Sequence, residues 1–495
     1  MLFTEPTFLF LFLPVLLALY FITRSREHGA YANWLLLIAS VIFYATGGGS
    51  FTWLMLGSIA FNYWMAILVS RDHRWLGFAI AVNLVVLGLF KYANFIADNV
   101  NALRSLAGAA PIAVPRVLLP IGISFFTFHA ISYVVDVHRR DATAQKSPVH
   151  AALYLLLFPQ LIAGPIIRYR DIADQLAHRL VTIDDFAYGV RRFIIGLGKK
   201  VLIANVVAGP ADKIFSMPFA ELSTGHAWLG IVCYTLQIYF DFSGYSDMAI
   251  GVGRMFGFRF PENFRWPYIA DSVQEFWRRW HISLSTWFRD YLYIPLGGNR
   301  VSAGRRYRNL VTVFFLCGLW HGASWNFVIW GLWHGTFLVI ERVTFHRRDR
   351  GGRGEILRSA SSAGSAVTRG PLAWPIWPHA YTMLVVIIGW VFFRAETLPG
   401  SIAFLKAMAG LSAAAPTPYT VQWYLTPELW LALAAGAIGS TPWVPSLSRR
   451  LSRVEPPHFD WRVSLLSTTA LVALLVASIM SMAARTYNPF IYFRF

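Results

Sequence analysis

Charge is what this chain is short of. Only 14% of its 495 residues are Asp, Glu, Lys or Arg, against roughly 25% in soluble domains. With 56% hydrophobic residues and a mean hydropathy of +0.50, that shortage excludes an ordinary soluble domain. The two cysteines, Cys233 and Cys317, both lie inside apolar runs. They exclude a disulfide framework and a CxxC metal pattern, and no metal site is expected. There is no GxSxG elbow, P-loop or HExxH, no signature of an RNA- or DNA-binding module, and no inverted repeat of the transporter type. The first apolar run, 8–22, lacks a basic flank before it and a small-residue cleavage site, so it reads as a retained anchor.

What is present is apolar helix. Lipid cannot satisfy free backbone groups, so repeated apolar runs imply an all-α polytopic membrane protein. The spans 8–22, 34–44, 51–69, 75–90, 118–137, 151–167, 193–207, 228–250, 310–319, 327–339, 380–393, 429–437 and 465–482 suggest about ten to thirteen membrane segments, several of them short. The 20 Trp, 21 Tyr and 39 Phe fit interfacial belts and helix packing. The net charge of +18 sits in short loops, where the positive-inside rule and anionic membrane lipids account for it without a nucleic-acid partner. Arg24 and Arg26 follow the first span and only Glu5 precedes it, which puts the N-terminus outside. The basic, Gly/Ser-rich 342–372 stretch reads as a flexible cytoplasmic loop. Arg449, Arg450 and Arg453 mark another such loop, which leaves the aromatic tail 487–495 outside.

The segment 309–343 carries the strongest chemical signal. Arg300, Arg305, Arg306 and Arg308 precede it, and Arg342, Arg347, Arg348 and Arg350 follow. Basic clusters on one side of a membrane require the chain to enter and return. Residues 309–320 are too few for a full crossing of about 20, so the segment reads as re-entrant, with His321 at membrane depth. An ionisable group there is a functional-site candidate, and imidazole suits proton abstraction near neutral pH. Gly322 and Ala323 would let a substrate approach closely.

Val273, Phe276, Trp277, Trp280, Leu284, Trp287, Phe288 and Tyr291 recur at helical steps and predict one amphipathic helix ending before Gly297. His281 falls on its apolar stripe. It is either a structural histidine or a partner of His321. His334 repeats the Trp-His-Gly triplet. It would orient His321, or simply sit in a helix packed through Gly331 and Gly335. Asp241 and Asp247 need partners inside an apolar run, with Arg254 the candidate. Cys317 reads as a small buried hydrophobe.

These residues fall in long ordered motifs: FWRRWHISLSTWFRDYLYIPLGGNR (276–300), WHGASWNFVIWGLWHG (320–335), GISFFTFHAISYVVDVHR (122–139), FPQLIAGPIIRY (158–169), YFDFSGYSDMAIG (239–251), FPENFRWPY (260–268) and VFFRAE (391–396). Together they resemble the membrane-bound O-acyltransferase family, in its bacterial alginate O-acetyltransferase-like branch. The resemblance implies a single integral membrane domain over 1–495. The implied architecture is a funnel-shaped helical assembly with re-entrant and interfacial helices and a central tunnel, set in the bacterial inner membrane. It places the family's catalytic histidine on His321 and the second family position on His281. It implies an acyl thioester donor from the cytoplasmic side, acetyl-CoA or an acyl carrier, as substrate rather than tightly bound cofactor. Periplasmic acetyltransferase or polysaccharide-modifying proteins are the implied partners, and the acceptor hydroxyls lie on an exported polysaccharide such as alginate. Peptidoglycan, cellulose or teichoic acid are alternative acceptors, and a transporter of glycan or acyl donor is the non-enzymatic alternative. The tail FIYFRF (490–495) resembles a C-terminal motif of this branch whose tyrosine is proposed as a transient acyl carrier. That tyrosine is Tyr492 here.

Overall fold

The computed structural model describes residues 1–22, 29–351, 376–444 except 413, 414, 416 and 418, residue 446, and 461–484. Tyr492, Arg24, Arg26, Arg449, Arg450, Arg453 and most of the 342–372 loop lie outside them. Regular structure among the described residues is helical throughout.

The peripheral helices α1 (Leu13–Ile22), α2 (Gly29–Gly48), α3 (Phe51–Arg71) and α4 (Trp75–Leu106) follow the first turn. The last three are inside out relative to a soluble protein. Asn33, Ser40, Asn62, Asn83 and Lys91 are buried, while Trp34, Trp53, Trp64, Val85 and Leu89 are exposed. Asn62 and Asn83 join α3 to α4 by a pair of side-chain bonds, 2.8 and 3.2 Å long. Polar groups inside and large apolar ones outside is the arrangement a lipid solvent selects.

The centre is built from α5 (Ile123–Arg139), the short α6 (Pro148–Leu156) and α7 (Phe158–Leu161), α8 (Tyr169–Ala177), α9 (Ile183–Gly198), α10 (Asn205–Phe215) and α11 (Thr224–Met255). A π-helical turn at Lys199–Ala204 joins α9 to α10. α9 and α11 cross at backbone distance. A Cβ on Gly189 would lie 2.6 Å from the Gly251 carbonyl, and one on Gly196 would lie 2.6 Å from that of Gly244. Small residues admit such an approach where no hydrophobic force drives helices together in lipid. The same crossing holds the intramembrane charges. Asp247 takes Arg192 and Lys199 at 2.7 Å each, and Asp241 pairs with Lys200 at 2.8 Å. The expected pairing with Arg254 is corrected: Arg254 reaches Asp185 instead, at 3.1 Å.

Then follow α12 (Val273–Arg279), α13 (Ile282–Phe288), α14 (Ala303–His321), α15 (Trp325–Gly351), α16 (Ile376–Arg394), α17 (Leu398–Met408), α18 (Val421–Tyr424), α19 (Pro427–Gly439) and α20 (Trp461–Ala484). α15 runs through Arg342 to Gly351, so the start of the expected loop is helix. Among the described residues, six helical stretches are long and apolar enough to cross a membrane, including the continuous Ile183–Phe215, and three apolar helices are shorter. α11, α14 and α15 fall outside those six: α11 and α15 carry buried polar residues such as Asp241, Asp247, Asn326 and His334, and α14 begins with Arg305, Arg306 and Arg308.

Candidate functional site

α14 and α15 form the expected hairpin, descending to His321 and returning from Trp325. Glycine makes the return possible. A side chain on Gly318 would strike the Phe327 carbonyl, and one on Gly331 would strike that of Phe314, while a Cβ on Gly335 would sit 3.1 Å from Phe314 Cβ. Gly322 has a different task from the one its sequence context suggests. Its backbone is extended, at φ −163°, and a Cβ there would run into the Phe327 ring. It makes room for an aromatic neighbour, not for a substrate.

The single helix expected over 273–291 is broken. α12 ends at Arg279, α13 begins at Ile282, and a π-helical turn at Arg289–Tyr293 follows. His281 is at the break with φ 45° and ψ 54°, a left-handed conformation that costs a non-glycine residue free energy and is held only by its surroundings. Asn263 does the holding. Its main-chain carbonyl accepts from Ile282 N at 2.9 Å. Its side-chain Oδ1 accepts from Ser283 N at 3.2 Å and from Ser283 Oγ at 2.9 Å, and lies 3.1 Å from His281 Nδ1. An oxygen that accepts from a main-chain N–H is the carbonyl end of the amide. His281 Nδ1 must therefore carry the proton and donate, which leaves Nε2 of the neutral ring as its lone-pair nitrogen. That Nε2 is buried and has no hydrogen-bond partner among the described residues.

Aromatic rings bring the two histidines into one cluster. The Trp320 ring lies 4.9 Å from His321 and 6.3 Å from His281, centre to centre. Trp330 and Phe393 flank His321 at 5.0 and 5.1 Å, and Phe242 stands edge-on to His281 at 4.6 Å. Trp320 in turn stacks on Phe128, which stacks on Trp287 at 3.7 Å. His321 is 7% exposed and makes no side-chain hydrogen bond among the described residues, with Nδ1 buried and unpartnered. Buried polar atoms normally find partners; a ring nitrogen of His281 and one of His321 lack a partner among the described residues, as do both of His334.

His334 is buried one turn away, 5.3 Å from Trp330 and 5.1 Å from Trp277. Trp330 lies between it and His321, so it does not orient that ring by a hydrogen bond. Cys317 is buried as expected. A cavity of about 410 Å³ opens elsewhere, beside Met1, Glu5, Thr46 and Ile121.

Ion pairs around Asp290, just after α13, tie the pair α12–α13 to α5 and α8. Asp290 takes Arg170 at 2.8 Å, Arg289 at 2.7 Å and Arg168, and Tyr291 donates to Asp136 at 2.6 Å. Burial pushes the Asp290 carboxyl up, but Arg289 and Arg168 outweigh it and hold it below the ordinary carboxylate range. Glu341 of α15 caps α12, accepting from Val273 N at 2.7 Å and Gln274 N at 3.0 Å.

Two residues at the site escape a reading of the sequence. Asn263 carries no periodic signal, and its Oδ1 contacts are 20 and 18 residues away along the chain. Lys91 is different, because a charged residue in the middle of the 32-residue α4 is itself a signal. Ending the span at Phe90 leaves it as an ordinary flanking charge.

The sequence comparisons agree with this arrangement. The profile of the MBOAT, membrane-bound O-acyltransferase family matches residues 122–351, from the start of α5 to the end of α15. The chain is 42% identical to the "probable alginate O-acetylase AlgI" of Azotobacter vinelandii and 43% identical to that of Pseudomonas putida, over the full length of both chains. It is 36% identical to the "peptidoglycan O-acetyltransferase" of Helicobacter pylori, across 83% of this chain and 80% of that one. The chain belongs to the membrane-bound O-acyltransferase family. It is a multi-pass membrane enzyme that transfers acyl groups to hydroxyls, and the resemblance of its motifs is borne out.

Proposed function

We propose that this enzyme acetylates an exported polysaccharide, of the alginate type, from a cytoplasmic acetyl thioester such as acetyl-CoA, in the bacterial inner membrane. The observation that carries the reading is the pair of buried imidazoles with unpartnered nitrogens, inside an acyltransferase whose full-length relatives bear the alginate O-acetylase name.

His321 acts as general base. It takes the proton of the acceptor hydroxyl as that oxygen attacks the thioester carbonyl. The C–S bond breaks, and the thiolate leaves with the proton returned by the imidazolium. His281, its tautomer set by Asn263, accepts a hydrogen bond at Nε2 and orients the acceptor. A dry aromatic surround strengthens these polar contacts. Tyr492 is the first such acceptor: its phenolic oxygen attacks the thioester carbonyl, and the resulting acetyl ester is passed on to a hydroxyl of the polymer through periplasmic acetyltransferase or polysaccharide-modifying proteins, regenerating the phenol.

Purified protein in liposomes with labelled acetyl-CoA tests this. Thioester turnover or acyl-enzyme that falls with His321→Ala supports the reading, and turnover at the wild-type rate in that variant would falsify it. Tyr492→Phe should abolish label on the protein and acetyl on the polymer. Undiminished polymer acetylation at normal protein level removes the carrier step. The Helicobacter pylori relative favours a second reading, in which peptidoglycan is the acceptor. Incubation with the two polymers separates them.

A further inference from the structure

Lysine at the middle of a membrane helix is costly to keep, and its surroundings say what it does there. Lys91 is 9% exposed in α4. The last carbonyls of any helix lack intrahelical partners, and α14 ends at His321. Two consecutive residues of α4 supply what is missing. Tyr92 Oη donates to the Leu319 carbonyl at 2.8 Å. Lys91 Nζ donates to the Trp320 carbonyl and lies 3.4 Å from that of His321. Its third contact is Ser124 Oγ at 3.1 Å, the second residue of α5. The ammonium also lies 5.8 Å from the centre of the Trp320 ring.

Three acceptors match the three N–H bonds of an ammonium. Among the described residues, no carboxylate is its partner. The countercharge is the negative end of the α14 dipole, which favours a cation at the last turn. A leucine or methionine would fill the same space without the cost of burying charge. What the amine adds is a fixed joint between three helices at the residue that bears the imidazole.

We infer that Lys91 is a positioning residue for His321: its ammonium, held by Ser124, clamps the carbonyls of Trp320 and His321 and so fixes where the imidazole stands. This rests on the general-base reading of His321. Loss of the clamp releases the last turn of α14, and a displacement of about 1 Å at a reacting group costs on the order of 100-fold in rate.

The test uses full-length protein in liposomes, with labelled acetyl-CoA as donor and four variants: Lys91→Met, Lys91→Arg, His321→Ala and the double variant Lys91→Met/His321→Ala. Lys91→Met should lower kcat on the order of 100-fold with donor KM changed little. Lys91→Arg, which keeps charge and donors, should recover part of the rate. In the His321→Ala background, Lys91→Met should cost nothing more, because a positioning residue has nothing left to position. If His321→Ala collapses the rate and Lys91→Met does not, the clamp is wrong and the general-base reading stands. If the two losses multiply in the double variant, Lys91 acts elsewhere and the inference fails. If His321→Ala keeps full activity, both readings fall. Should Lys91→Met prove unfolded by thermal melting in detergent, Lys91→Gln, which retains N–H donors, replaces it under the same criteria.

Discussion

The chain contains the tripeptide Trp-His-Gly twice, at 320–322 and 333–335, and the structure treats the two copies differently. His321 ends α14, where the carbonyls around it are gripped by Lys91 and Tyr92. Its glycine is extended and accommodates Phe327. His334 is in mid-α15, fully buried between Phe276, Trp277 and Trp330, and its glycine packs on Phe314. The difference is where the backbone stops. At a helix end, free carbonyls collect polar partners, and the polar groups of Lys91 and Tyr92 gather beside the turn that bears the imidazole. Within a helix the backbone is satisfied, and the same imidazole is a flat ring in an aromatic core.

Variants on either side of this contrast can break it. Beyond His321, Lys91 and Tyr492, the largest effect is expected from Asn263→Ala. It removes the acceptor that sets the His281 tautomer and the carboxamide that stabilises the break, and acetyl transfer should fall roughly 10- to 100-fold. Recovery of the His281 imidazole ¹⁵N pattern in that variant with normal activity would show that Asn263 is dispensable. Gly331→Ala comes next, because its new methyl meets the Phe314 carbonyl. A stability loss of about 1–3 kcal/mol is expected from overpacking, read as a lower melting temperature in detergent. Asp247→Asn should cost about 1–3 kcal/mol, since it replaces the charge-assisted bonds from Arg192 and Lys199 with neutral ones while Arg192 keeps Glu262, and the rate per folded molecule stays near wild type. Gly335→Ala should be smallest, about 1 kcal/mol or less, because Phe314 Cβ is 3.1 Å away and a few tenths of an ångström relieve the contact. A melting loss as large as that of Gly331→Ala would contradict the hairpin geometry.

The peripheral helices were largely legible in the sequence. Unbroken apolar runs and basic loops state where α2 and α3 begin and end to within about five residues, and where α4 begins, but α4 runs 16 residues past the expected end at Phe90, to Leu106. The turn of the hairpin was legible too, because the apolar run 309–343 is interrupted at Trp320-His321-Gly322, although α14 starts at Ala303, earlier than the expected run. The helix expected over 273–291 was not read correctly. Its apolar periodicity continues through His281, and only Asn263, brought close by the fold, shows why the backbone turns there. The partners of Asp247 were missed for a similar reason. Arg192 and Lys199 lie 55 and 48 residues away, and the glycine crossing of α9 and α11 is what delivers them. Tyr492 was singled out by its motif and lies beyond the described residues.

The central claim is that one Trp-His-Gly works and the other packs. Its most direct test is His321→Phe beside His334→Phe, with polymer acetyl content measured in cells at matched protein levels. The account predicts that His321→Phe loses 10²- to 10⁴-fold, the usual share of a general base, while His334→Phe acetylates close to wild type. Equal losses in the two variants, or a larger loss at His334, would contradict it.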